Sequence, residues 1–186
     1  MTPKALQSRS KYLSKVLRHA PELIHLTLDK QGWVPVESLL SHLNHFGPEW
    51  LQPFSRYTLE EIVAGNNKQR FAFSEDGLRI RANQGHSLAI DLQYPPQEPP
   101  LTLFHGTARK NLASIEEKGL VKGSRHQVHL SVDKDTAHRV GCRHGSPVVL
   151  SVRSGDMWRD GYIFYRSDNG VWLTDAVPAS YLALAD

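Results

Sequence analysis

Apolar residues in the first third of the chain recur at helical intervals. Leu6, Leu13, Val16 and Leu17 share one side of a 3.6-residue period, and the lysines and arginines among them take the other. This spacing predicts a helix that Pro21 stops, with Arg18-His19 at its end. Pro35 is placed to open a second helix through Leu39, Leu40 and Leu43. Thr58-Leu59-Glu60-Glu61 has the threonine-to-glutamate spacing of a capping box, which predicts a third helix through Ile62 and Val63 that ends near Gly65-Asn66. The period then drops to two. Arg70-Phe71-Ala72-Phe73 and Leu78-Arg79-Ile80-Arg81 alternate around Ser74-Glu75-Asp76-Gly77, and Asp-Gly is a hairpin signal.

Helices followed by a two-stranded wing resemble a winged-helix module, a type that commonly carries nucleic acid. The second half reads differently. Leu101 to Phe104 is a predicted strand that enters His105-Gly106-Thr107. Asn111 to Lys118 is a short amphipathic helix closed by Gly119. Val128 to Leu130 is a strand, Asp133 caps a helix through His138, and Pro147–Val152, Tyr162–Tyr165, Val171–Thr174 and Tyr181–Leu184 are further strands. The expected class is α+β, with an antiparallel sheet in the second half. Tyr94 to Pro100 contains four prolines in seven residues, which excludes a helix or a central strand. It predicts a first lobe over 1–94, a stiff connector over 95–100 and a second lobe over 101–186. No glycine-rich phosphate loop of the Walker or Rossmann type is present.

Composition narrows the class. The chain has 186 residues, 40% of them hydrophobic, as a globular protein requires. No apolar run is long enough to span a bilayer, and Met1 to Ser10 lacks an apolar signal-peptide core. A cytoplasmic protein without a membrane partner, acting as a monomer, is the expectation. The lone cysteine, Cys142, excludes an internal disulfide and a cysteine-rich zinc site. Net charge is +3, with ten histidines able to add to it below neutral pH. The charge is concentrated locally: Lys4, Arg9, Lys11, Lys15 and Arg18 all precede the first acid, Glu22.

The candidate chemistry lies in short clusters. Arg18 is a permanent anion fork, and His19 can give and take a proton near neutral pH. Lys68-Gln69-Arg70 enters the wing, and Gln84-Gly85-His86-Ser87 follows it. In His105-Gly106-Thr107 the glycine allows a ligand to approach the backbone, whose amides suit a carboxamide. Ser124 to Ser131 adds Arg125, His126 and His129. Zinc is not expected there, because residues 126 and 129 of a strand point to opposite faces and no cysteine or acid is near. His42 and His45, brought together by a helix, are read as polar packing. Taken singly, each cluster also has an ordinary explanation as helix end, charged strand edge or polar turn.

As an ordered set the clusters resemble the RNA 2′-phosphotransferase family, often called tRNA 2′-phosphotransferase. The matching segments are Leu13 to His19, Gly32-Trp33-Val34-Pro35, Asn66 to Phe71, Ala82 to Ser87, His105-Gly106-Thr107 and Ser124 to Ser131. The resemblance implies a winged-helix-like RNA lobe and an ADP-ribosyltransferase-like lobe that holds NAD⁺ as co-substrate, with no metal. The implied substrate is a tRNA-like RNA bearing an internal 2′-phosphate, as in tRNA splicing. That phosphate attacks the nicotinamide ribose and expels nicotinamide. The ribose 2″-hydroxyl of the ADP-ribosylated RNA then attacks phosphorus, giving 2′-hydroxyl RNA and ADP-ribose 1″,2″-cyclic phosphate.

Family catalytic positions map onto Arg18, His19, Arg70 and Arg125. His105, Gly106, Thr107, His129 and Ser131 are implied to line the NAD⁺ site, and Lys68, Gln84, Gly85, His86 and Ser87 to meet the RNA. The chemistry is coherent. Three arginines can hold phosphate oxygens with charge-assisted bonds, each worth about 2–4 kcal/mol if aimed at charge developed in the transition state. His19 is the proton carrier of the set, a role typically worth about 10²–10⁴-fold. Where related transferases often carry glutamate, the late strand offers Asn169-Gly170-Val171-Trp172, which fits a phosphate acceptor better than a protein one. The rivals are a non-enzymatic winged-helix regulator, a metal-free RNA-cleaving enzyme, and an ADP-ribosyltransferase acting on terminal phosphates, such as 5′-phosphate ends, of RNA or DNA.

Overall fold

A computed structural model describes residues 2–65, 69–123 and 125–185. The chain is α+β and divides into two compact units, Met1–Gln93 and Tyr94–Asp186. Each has its own core.

In the first unit, helix α1 (Pro3–Arg18) starts where Thr2 accepts a bond from the Ala5 amide, with Pro3 in the first turn. It buries Leu13, Val16 and Leu17 completely. Its end is tight, because the amides of His19 and Ala20 both donate to the Lys15 carbonyl before Pro21 begins a short 3-10 turn. A two-residue strand, β1 (Val34–Pro35), precedes α2 (Val36–Phe46), and α3 (Arg56–Ala64) follows. The wing is β2 (Phe71–Phe73) with β3 (Arg79–Ala82), paired antiparallel with Phe73 opposite Ile80. β1 adds a third strand on the far side of β3, with Val34 opposite Ile80. Nothing in the two-residue Val-Pro step announces a strand.

The start of α3 differs from the sequence expectation. Ser55, not Thr58, is the cap, and its hydroxyl accepts from the Thr58 amide at 3.1 Å. Thr58 occupies the third helical position and is buried. The cause lies outside the helix: Asn44 bonds both the amide and the carbonyl of Phe54, which fixes the entry one turn earlier.

In the second unit the order is β4 (Leu103–Ala108), α4 (Leu112–Lys118), β5 (Leu120–Val121), β6 (Val128–Leu130) and α5 (Lys134–Gly141). It continues with β7 (Pro147–Val152), α6 (Ser154–Arg159), β8 (Tyr165–Arg166), β9 (Trp172–Thr174), β10 (Ala176–Val177) and β11 (Leu182–Leu184). One sheet has the order β11-β7-β4, another β6-β9-β8, and β10 pairs with β5. All pairs are antiparallel. The two three-stranded sheets meet where Phe104 and Ser131 exchange both backbone bonds at 2.8 Å. The proline segment lies along this unit: Pro96 bridges to Tyr165, and the Gln97 amide donates to the Phe164 carbonyl.

His105-Gly106-Thr107 lies inside β4 rather than after it, because pairing with β7 continues to Ala108 opposite Pro147. Gly106 has a packing cause. A Cβ there would lie 1.6 Å from the Ala137 carbonyl oxygen of α5, so only a glycine lets that helix rest on the strand. Among the described residues, no helix is long and apolar enough to cross a membrane.

Gly106→Ala should therefore destabilise the fold by roughly 3 kcal/mol or more, because backbone blocks the new methyl. Gly161→Ala, with nothing within 4 Å but a φ of +91°, should cost only about 1–2 kcal/mol. Urea unfolding of both variants checks this; equal losses would remove the packing explanation.

Candidate active site

The first unit gathers residues far apart in sequence. The end of α1 lies beside the entrance to β2, and the Arg18 guanidinium donates to the carbonyl of Arg70 at 3.4 Å. The same carbonyl accepts from the Asn83 amide, while the Asn83 side chain donates to the Gln69 carbonyl at 2.7 Å. Gln69 has a left-handed φ of 41°. The buried Asn83 thus holds the turn that delivers Arg70.

Ser87 completes the arrangement from the other side. Its amide donates to the Arg18 carbonyl at 3.0 Å, and its hydroxyl lies 3.0 Å from His19 Nδ1. These bonds fix the direction of the imidazole and turn Nε2, on its opposite edge, away from Ser87. Gln84 and Gly85 bend the chain between Asn83 and His86, with Gly85 at φ +83°. His86 is buried against Gly32, where a Cβ would come within 3.4 Å of its Nε2. Gly32 in the Gly-Trp-Val-Pro segment has a structural reason in its left-handed φ of +80°, with Ile90 only 3.2 Å from where a Cβ would stand. Lys68 lies outside the described residues. Arg18, His19, Arg70 and the Gln84–Ser87 turn therefore form one cluster within this unit. Asn83 is a member that sequence reasoning missed; its only signal was an asparagine between a strand and a glycine turn.

The second unit builds its own cluster around the junction of β4 and β6. His105 Nδ1 lies 3.0 Å from the His129 carbonyl. A carbonyl only accepts, so Nδ1 carries the hydrogen and Nε2 the lone pair. Burial of the imidazole lowers its pKa; the bond to His129 opposes this, and the positive charges of Arg125 and His144 add to the lowering. Arg125 donates to His129 Nδ1, which makes that nitrogen an acceptor and puts the His129 hydrogen on Nε2. Partial enclosure of the Arg125 guanidinium, and then Arg143, lower its pKa; a guanidinium stays charged regardless. Thr107 is buried, and its hydroxyl accepts from Asn111. Arg143 and His144, in the loop after α5, were not singled out from sequence, although both act electrostatically here.

The ladder determines what the glycine offers. Phe104 spends its amide and carbonyl on Ser131. Backbone groups alternate sides along a strand, so the amide and carbonyl of Gly106 face that same side, away from β7. A donor and an acceptor side by side suit a carboxamide. Ser131 contributes its backbone to the junction. Asn169 lies in the turn before β9, where its side-chain oxygen accepts from the Ser167 hydroxyl. Among the described residues, no group of three or more histidines, cysteines or acids is arranged to hold a metal ion.

Comparison with known proteins places these clusters in context. The family model for "RNA 2′-phosphotransferase, Tpt1 / KptA family" matches residues 4–176. A probable RNA 2′-phosphotransferase of Agrobacterium fabrum is 56% identical over 176 residues, covering 95% of this chain and 92% of the relative. Proteins with the same description from Trichormus variabilis and Nostoc punctiforme are 52% and 50% identical; they cover 93% and 98% of this chain, with 93% and 98% of their own lengths.

The depressed pKa of His105 has a pH consequence. As pH falls, the unfolded chain takes up this proton first, near the ordinary value of about 6.5. The stabilising contribution is intact above that value and is lost as pH falls from it through the lower folded value. Thermal unfolding between pH 8 and 5 should show a smaller acid-induced loss for His105→Asn than for the parent protein. Identical pH profiles would contradict a half-buried His105 that resists protonation.

Proposed function

Because the chain belongs to the RNA 2′-phosphotransferase family, we propose that it transfers an internal RNA 2′-phosphate to NAD⁺ in two steps. In the first, a phosphate oxygen forms a bond to the anomeric carbon of the nicotinamide ribose, and the bond to nicotinamide breaks. In the second, the ribose 2″-oxygen bonds to phosphorus, and the bond to the RNA 2′-oxygen breaks. The 2″-hydroxyl loses a proton and the RNA 2′-oxygen gains one. The products are 2′-hydroxyl RNA, nicotinamide and ADP-ribose 1″,2″-cyclic phosphate.

One observation supports the reading most: Arg18, His19 and Arg70 come together although the wing and the first helix are far apart in sequence. Arg18, Arg70 and Arg125 are assigned to phosphate oxygens, because a planar guanidinium fork can bond such oxygens in pairs and stays charged. The phosphate is already an anionic nucleophile, so the first step needs no strong base. His19 moves the proton of the second step, with Ser87 orienting its ring. The Gly106 backbone would hold the nicotinamide carboxamide, and His105, Thr107, His129 and Ser131 would line the ribose beside it. Gln84, Gly85, His86 and Lys68 are assigned to the RNA around the phosphate. A winged-helix-like first lobe and an ADP-ribosyltransferase-like second lobe are the fold description consistent with these roles.

Incubation with a synthetic RNA carrying one internal 2′-phosphate tests the proposal. The phosphate should leave only when NAD⁺ is present, with nicotinamide released in equal amount. Strand scission without NAD⁺ would favour the RNA-cleaving alternative, and ADP-ribose retained on a terminal phosphate would favour end modification. His19→Ala should slow the second step more than the first, so labelled RNA should accumulate as the 2′-phospho-ADP-ribosyl intermediate. Equal slowing of both steps would remove His19 from proton transfer. Arg125→Ala should lower kcat by about 10²–10³-fold with little change in thermal midpoint; near-parental turnover would remove it from the phosphate site.

A further inference from the structure

The basic run before Glu22 is sorted by the helix into two unlike parts. Arg9 is turned inward: its guanidinium donates to the Pro53 carbonyl at 3.1 Å and lies over the Phe54 ring, and the residue is 9% exposed. Lys4, Lys11, Lys15 and Arg18 behave otherwise. At about 100° per residue they fall within a sector of about 60°, and at about 1.5 Å of rise they run about 21 Å along α1. The three lysines are exposed. Among the described residues none of these lysines is in an ion pair, and α1 contains no acidic residue.

This pattern does not help the helix itself. Lys4 stands in the first turn, where the helix dipole opposes a cation, and Lys11 and Lys15 are like charges one turn apart. The opposite face of α1 is spent on the core through Leu13, Val16 and Leu17. No apolar face remains to enter a lipid surface, so the stripe is not a membrane-binding amphipathic helix. It is a straight line of cations whose last member is Arg18, and a polyanionic strand is the partner whose charge repeats along such a line.

We propose that Lys4, Lys11 and Lys15 form a track for the sugar-phosphate backbone of the RNA that flanks the phosphate presented to Arg18. The inference rests on the proposed function for the identity of the strand. The track meets phosphate charge and carries no base preference. It acts on binding and leaves the chemical steps to other residues, so its contribution grows with the length of RNA beyond the reacting nucleotide.

The test compares the parent protein with the K4Q/K11Q/K15Q and K4R/K11R/K15R variants. Two substrates are used, a long single-stranded RNA and a trinucleotide, each with one internal 2′-phosphate. For the long RNA, the glutamine variant should reduce the slope of log affinity against log salt by about 2, at about 0.7 for each phosphate no longer neutralised. Its KM for the long RNA should rise about tenfold or more at low salt, with kcat unchanged and both constants for the trinucleotide unchanged. The arginine variant should behave like the parent, and equal thermal midpoints would exclude a folding defect. An unchanged salt slope would overturn the track, as would an equal loss on the trinucleotide. Binding of the parent to anionic phospholipid vesicles, lost in the glutamine variant without any loss of RNA binding, would also overturn it. If the parent turns over neither RNA, the proposed function fails, and the track is still judged by the salt slope of RNA binding.

Discussion

The backbone of Arg70 is the anchor on which the first cluster depends. Its carbonyl takes a bond from the Arg18 guanidinium and another from the Asn83 amide. Arg18 is therefore not a loose cation at a helix end. Its side chain is tied to the wing, and its own carbonyl is tied to Ser87. A long, rotamer-rich side chain thereby loses much of its freedom within the folded unit itself. The helix end is held as well: with His19 and Ala20 both bonded to Lys15, the last turn cannot fray and carry Arg18 away.

The second unit solves a different problem with the same economy of parts. Gly106 is forced by α5, which needs a strand without a side chain on that face. The Phe104–Ser131 exchange uses up the neighbouring backbone bonds, and the strand parity then turns the Gly106 amide and carbonyl toward the junction. His105 and His129 are each held in one neutral tautomer by a partner that can only accept or only donate. Each imidazole therefore presents its Nε2 edge in a defined donor or acceptor state, His105 as an acceptor and His129 as a donor.

The sequence showed much of this directly, and the exceptions have identifiable causes. The period of α1, the Asp-Gly hairpin, the Asp133 cap and the Pro147–Val152 strand were all visible, because each is fixed by local chemistry. The misplaced start of α3 followed from a long-range pair of bonds between Asn44 and Phe54. β1 and β10 are two residues long and exist only because a partner strand is present. Residue types and order pointed to Arg18, His19 and Arg70. Asn83 and the double use of Ser87 were hidden, since a buried amide and a serine after a turn look ordinary until their partners are known.

Coupling between Ser87 and His19 addresses the central claim most directly, that this cluster acts as one preorganised unit. Ser87→Ala removes the hydroxyl from the imidazole but keeps the amide bond to Arg18. In a double-mutant cycle on the single-turnover rate of the proposed second step, Ser87→Ala should slow the parent by about tenfold and have almost no effect in a His19→Ala background. Independent, multiplicative losses would show that Ser87 does not act through His19, and would contradict the account.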